Sequence, residues 1–98
     1  MKIERIGNKP RMTIEGFAEE HDLVMVVHEP NGESPVYKAS FKGVEVVNAG
    51  FLYSTYGHGA TEADAINYYS KIISGQTIRI GRSGKRVHVP DLIGYATW

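Results

Sequence analysis

Residues Tyr56 to Gly75, Y-G-H-G-A-T-E-A-D-A-I-N-Y-Y-S-K-I-I-S-G, hold a strand end, a glycine pair, a capped helix and a helix stop in one short run. Thr61 is placed to cap the helix, with Asp64 standing where a capping box has Glu or Gln. Glu62 and Asp64 sit at the positive end of the helix dipole. Ala65, Ile66, Tyr69, Ile72 and Ile73 recur at helical spacing and make one apolar face, expected to lie across a sheet. Gly75 suits the left-handed position that closes a helix. Gly57 and Gly59 are read as freeing the backbone to turn from strand into helix.

Upstream, Thr13 is expected to cap a short helix over 13–21, in which Ile14, Phe17, Ala18 and His21 share a face. The run D-L-V-M-V-V-H-E at 22–29 is apolar and β-branched and predicts a strand. The run P-N-G-E-S-P at 30–35 predicts a turn, with Asn31-Gly32 supplying positive φ angles. Residues 36–42 predict a second strand that alternates Tyr37, Ala39 and Phe41 against Lys38, Ser40 and Lys42, one face buried and one wet. Val44 to Val47 extend it. Asn48-Ala49-Gly50 turns the chain into a third strand over Phe51 to Tyr56. Downstream, Gln76 to Ile80 and Lys85 to Val89 predict a hairpin about Gly81-Arg82-Ser83-Gly84, and Pro90 ends it. The tail Leu92 to Trp98 is apolar enough to dock on the body or on a second copy. The expected fold is α+β and a single domain over 1–98. It is an α-β-β-β-α core with an antiparallel sheet covered by helices on one face, plus a C-terminal β-hairpin.

The chain has 98 residues, no cysteine and a formal net charge of zero. Absent cysteine excludes disulfides, thiol catalysis and a Cys-based zinc site, and it agrees with a reducing cytoplasm. Met1 to Arg5 leads into no apolar segment, so no secretory signal is expected. No run approaches the roughly 20 apolar residues of a membrane span, so no membrane association is expected. The charges are segregated. Residues 1–11 balance to +3, residues 12–37 to −6, residues 38–78 to zero and residues 79–98 to +3. Such blocks steer charged partners.

Nothing in the residues spells out a reaction. Gly57-His58-Gly59 before a helix suggests an anion loop, but Glu62 stands where G-x-G-x-x-G needs its third glycine. Ser83-Gly84-Lys85 has Arg79 where a Walker A loop needs its first glycine. His21, His28, His58 and His88 form no H-x-x-x-H pair, and no catalytic constellation stands out. The expectation is a non-enzymatic binding protein with no catalytic residues, no metal and no cofactor. The strongest candidate binding element is the hairpin, with Arg79, Arg82, Lys85, Arg86 and His88 within ten residues. Arg79 is expected on one face, Arg86 and His88 on opposite faces, and Arg82 and Lys85 at the turn. The second candidate is the wet sheet face, with Lys38, Ser40 and Lys42 beside Tyr53 or its neighbours, where aromatics among cations suit nucleic-acid stacking.

Tyr37 to Ser74, with G-H-G-A-T followed by Ala65, resembles the second half of the double-stranded-RNA-binding domain. That family opens its second helix with lysines that grip phosphate. Glu62, Ala63 and Asp64 stand in those places here and would repel it. The same stretch partly matches the "G-x-T-x-x-E-A" helix start of HicB-type antitoxins. A third resemblance covers more of the chain. I-G-N-K-P at 6–10, T-I-E-G-F-A-E-E-H-D-L at 13–23, Y-K-A-S-F-K at 37–42 and G-A-T-E-A-D-A-I-N-Y-Y at 59–69 look like small proteins of tailed phages and prophages. That resemblance implies a setting in the infected host's cytoplasm and action by occlusion. The partner it implies is a host protein or ribonucleoprotein, such as a CRISPR effector of bacterial defence. The alternatives are a nucleic-acid-binding regulator and a pocket that sequesters a nucleotide signal with Arg79, Arg86 and aromatics. The chain is expected to be a monomer or homodimer.

Overall fold

The chain runs β1 (Met12–Thr13), α1 (Ile14–Glu20), β2 (Met25–His28), β3 (Tyr37–Phe41), β4 (Val44–Asn48), β5 (Phe51–Tyr53), β6 (Gly57–Gly59), α2 (Glu62–Ile73), β7 (Thr77–Ile80), β8 (Lys85–His88) and β9 (Leu92–Ile93). These elements come from a computed structural model that describes residues 12–93. The basic segment at 1–11, the I-G-N-K-P stretch and the end of the tail at 94–98 lie outside the described residues. The class is α+β, as the pattern predicts. The antiparallel sheet is in two parts, a three-stranded β2-β3-β6 and a four-stranded β5-β4-β7-β8. A short parallel pair, β1 with β9, brings Met12 opposite Leu92.

One residue step explains the division. Ala39 and Phe41 are buried, and so are Val44 and Val46. Strict alternation would turn Val44 outward. A two-residue turn at Lys42-Gly43, with Gly43 at φ 70°, resets the phase. The predicted extension through Val44 to Val47 is therefore a separate strand. β2 and β6 flank β3 on its two sides, and β7 and β5 flank β4. The predicted third strand is likewise broken. It stops at Tyr53 and resumes as β6.

The glycine pair does a different job from the predicted turn. Gly57 and Gly59 lie in β6, paired with Ala39 and Tyr37, and neither has a positive φ. A Cβ on Gly57 would run into the Ala65 carbonyl oxygen and the Tyr69 backbone nitrogen, and would lie 2.8 Å from the Tyr69 Cα. One on Gly59 would overlap the Asp64 Cβ and come 2.9 Å from the Ala65 nitrogen. The glycines let α2 rest its backbone on the strand.

The predicted caps are present. Thr13 Oγ accepts from the Gly16 N–H at 3.0 Å, and Thr61 Oγ accepts from the Asp64 N–H at 3.1 Å. Gly75 closes α2 at φ 77°. Asn31-Gly32 differs from expectation because neither residue has a positive φ. The Asn31 side chain makes the turn instead, accepting from the N–H groups of Glu33 and Ser34 at 2.8 and 2.9 Å, an Asx turn.

The core is one cluster built from α1, α2 and the inner side of both sheet parts, including Ile14, Phe17, Phe41, Val46, Tyr69, Ile73 and Ile78. Phe41 meets the Tyr69 ring edge-on with centroids 5.5 Å apart, a favoured aromatic geometry. Burial pushes the Tyr69 phenol above its ordinary pKa of 10.0, with a backbone hydrogen bond at Phe41 pulling it partly back. A raised folded-state pKa means that stability is fully present below the unfolded value and is lost as pH rises through the folded one. The stability difference between the wild type and Tyr69→Phe is therefore expected to shrink as pH goes from about 8 to about 11. Urea titrations of both proteins across that range check it, and a constant difference contradicts it.

The β4–β5 loop, Ala49-Gly50, has φ of 51° and 84°. Positive φ at both loop residues is the signature of a type I′ hairpin turn, for which Asn-Gly is the preferred pair. Alanine in the left-handed region costs about 1–2 kcal/mol. Ala49→Asn is expected to recover about half of that and to raise the thermal midpoint by about 3–6 °C. Differential scanning calorimetry reads this directly, and a lowered midpoint contradicts the turn assignment.

Candidate functional site

Among the described residues, α1 and α2 pack on one side of the sheet and leave the other open. On β2 and β3 the open side carries Val26, His28, Lys38 and Ser40, alternate to the buried Ala39 and Phe41. Register sets His28 opposite Lys38, and Lys38 opposite His58 on β6. On the second part of the sheet the open side carries Glu45, Arg79 and Arg86 in one cross-strand row and Val47, Thr77 and His88 in the next. The inner sides of both parts share one core, and a groove lined by His28 and Ser40 of the first part and Glu45 of the second joins their outer sides. Lys42, in the turn between β3 and β4, stands exposed where the parts meet.

The fold thus brings Arg79, Arg86, His88, Lys38 and Lys42 onto a single surface, although they come from three separate strands and a turn. Arg86 and His88 are on the same side, not on opposite sides as expected, because residues two apart on a strand share a face. Two of the predicted residues are elsewhere. Arg82 leaves at the turn, donates to the His21 carbonyl oxygen at 3.0 Å and lies 3.5 Å from the Asp22 carboxylate. It ties the basic hairpin to the acidic end of α1. Lys85 pairs opposite Ile80 and so belongs to the helix side, at an exposed rim.

Two grooves, each about 550 Å³, run along the open face and share His28, Ser40, Ser54 and Thr55. Lys38 and Tyr56 line the first, and Lys42 and Glu45 the second. The Lys38 ammonium lies 5.0 Å from the centre of the Tyr56 ring, within cation–π range. His58 stacks on Tyr68 of α2 at 4.8 Å. Tyr56, and not Tyr53, is the aromatic neighbour of the lysine. Glu29 and Glu33 also line the first groove.

Of the charges on the face, Arg79 has a carboxylate partner, Glu45 at 3.6 Å, with both side chains about one-third exposed. A pair so exposed stabilises by at most about 1 kcal/mol. Across the strand on its other side Arg79 faces Arg86. Like charges directly opposite each other are unfavourable, so β7 and β8 hold a repulsive pair that folding alone would not select.

Sequence reading missed His28 and His58 as members of this surface. The signal for His28 was its place two residues from Val26 on one strand, and for His58 its place between two glycines. Both signals gain meaning only once β3 is known to run between them. Among the described residues, no three His, Asp or Glu side chains gather as a metal would require. No helix among them is long and apolar enough to cross a membrane. The chain matches no family model, no curated protein and no solved structure.

Proposed function

We propose that this chain is a non-enzymatic binding protein that lays the open face of its sheet on an acidic macromolecular surface and acts by covering it. One observation carries the reading: Lys38, Lys42, Arg79, Arg86 and His88, distant in sequence, share the face that the helices leave bare. Opposed to them on that face is Glu45, with Glu29 and Glu33 lining the first groove. Clustered cations on an open face steer association with an anionic partner and fix its orientation. Given the likeness to small phage proteins, the partner is a host protein or ribonucleoprotein of a bacterial defence system, such as a CRISPR effector, met in the host cytoplasm.

A second reading, a nucleic-acid-binding regulator, draws on the Lys38–Tyr56 contact and the His58–Tyr68 stack. Aromatic rings beside cations take unstacked bases. It stands second because Glu62 and Asp64 crown the start of α2 and Glu45 sits on the face.

Affinity capture from bacterial lysate separates the two. The immobilised wild type is expected to retain a defined host protein that the double variant Lys38→Glu/Arg86→Glu does not. Capture of nothing, with a strong mobility shift of nucleic acid at physiological salt and a steep loss of that shift as salt rises, would replace the first reading by the second.

A further inference from the structure

Phe51, Leu52 and Tyr53 make up β5, and all are exposed, at 76, 41 and 41 %. Among the described residues β5 is the outer strand of the four-stranded part, paired with β4 on one side only. The opposite outer strand, β8, carries Lys85, Arg86 and His88. Charged residues on an edge strand keep it from pairing with other chains. β5 has none, and the sequence is free of charge from Val46 through Gly57. One edge of this sheet is protected against strand addition and the other is not.

The backbone of β5 is also arranged for pairing. Asn48 and Phe51 close a two-residue hairpin loop. Such a closing pair exchanges both of its backbone bonds. By alternation the N–H and C=O of Leu52 point away from β4, toward solvent.

We infer that β5 joins two copies of this chain, pairing antiparallel with its counterpart about a two-fold axis at Leu52. The strand is complementary to itself in this arrangement. Leu52 faces Leu52 of the partner copy, and the two outward N–H and C=O groups satisfy each other. Phe51 of each copy meets Tyr53 of the other on the inner side of the sheet, an aromatic cross-strand pair of the stabilising kind. An isologous contact sets every patch against itself, so a charged edge would repel its own copy and a neutral one does not. This neutrality favours a second copy over a charged partner. The axis stands perpendicular to the sheet, so the two open faces point the same way. The inference rests on β5 and not on the residues of the proposed docking face. Lys38, Lys42 and Arg86 are outside the joint.

Sedimentation equilibrium of the full chain tests it. The wild type is expected to pass from monomer to dimer as concentration rises, with a dissociation constant on the order of micromolar, since a single short strand pair is a small interface. Leu52→Lys is expected to weaken association at least about tenfold, by placing two ammonium groups across the axis. Leu52→Pro removes only the outward N–H, which β4 does not use, and is expected to weaken it as much. Circular dichroism confirms that both variants keep their secondary structure. A wild type that stays monomeric at every concentration overturns the inference, whether or not another protein binds the edge. So does a dimer that survives both variants, or one that is lost in Lys38→Glu and kept in Leu52→Lys.

Discussion

Gly57→Ala is expected to lower stability by about 3 kcal/mol or more, the upper end of what overpacking costs. The added methyl has nowhere to go. Its neighbours are the Ala65 carbonyl oxygen and the Tyr69 backbone nitrogen and Cα, and backbone atoms cannot rotate away as a side chain does. α2 must lift from β6, and that loosens the packing around Ala65 and Tyr69, both fully buried. A domain of this size has a total stability of about 5–15 kcal/mol, so the loss is a large share of it. The thermal midpoint is expected to fall by about 12 °C or more. Gly32→Ala is the control. Its Cβ would meet nothing within 4 Å and its backbone has no positive φ, so the midpoint should hold within about 2–4 °C, as for other surface substitutions. Equal midpoints for the Gly57 variant and the wild type would mean that helix and strand are not in close contact there.

Gly57 also shows where the sequence stops being informative. A glycine that permits a turn and a glycine that lets a helix approach a strand are the same letter in the same local setting. Only the pairing of β6 with β3, and the course of α2 across it, tells them apart. The helix itself was legible because its signals are local: Thr61 and Gly75 mark its ends, and Ala65, Ile66, Tyr69 and Ile73 repeat at its period. The strand phase was legible as far as Phe41. It failed at Lys42-Gly43 because a two-residue turn there changes which residues face inward without interrupting the run of strand-forming residues. The candidate surface was half legible. Lys38 and Lys42 announced themselves by alternation, and the cations of the hairpin by density. Their meeting on one face depends on β7 pairing with β4, a long-range contact with no local mark. That Arg79 and Arg82 each find a carboxylate, Glu45 and Asp22, depends on the same long-range geometry.

Arg86→Glu is expected to act in opposite directions on folding and on binding. In the folded chain Arg86 lies across from Arg79, whose other cross-strand neighbour is Glu45. A glutamate at 86 would place Arg79 between two carboxylates and replace a repulsive pair by an attractive one. Cross-strand charge pairs contribute roughly 0.2–1 kcal/mol, so the variant should be as stable as the wild type or slightly more so. For an acidic partner the change removes one attraction and adds one repulsion. Combined with Lys38→Glu, it is expected to weaken binding by about a hundredfold or more, at roughly 1–3 kcal/mol for each charge-assisted hydrogen bond removed. Lys85→Glu, at the helix-side rim, is expected to leave binding within about threefold, because a charge off the interface adds only screened, long-range attraction. Titration of the captured partner onto the immobilised chain measures the affinities, and thermal unfolding measures the stabilities. If stability rises while affinity falls, the Arg79–Arg86 juxtaposition is kept for recognition at a small cost to the fold. If Lys85→Glu weakens binding as much as Arg86→Glu, the tip of the hairpin and not the open sheet face meets the partner, and the proposed docking surface is wrong.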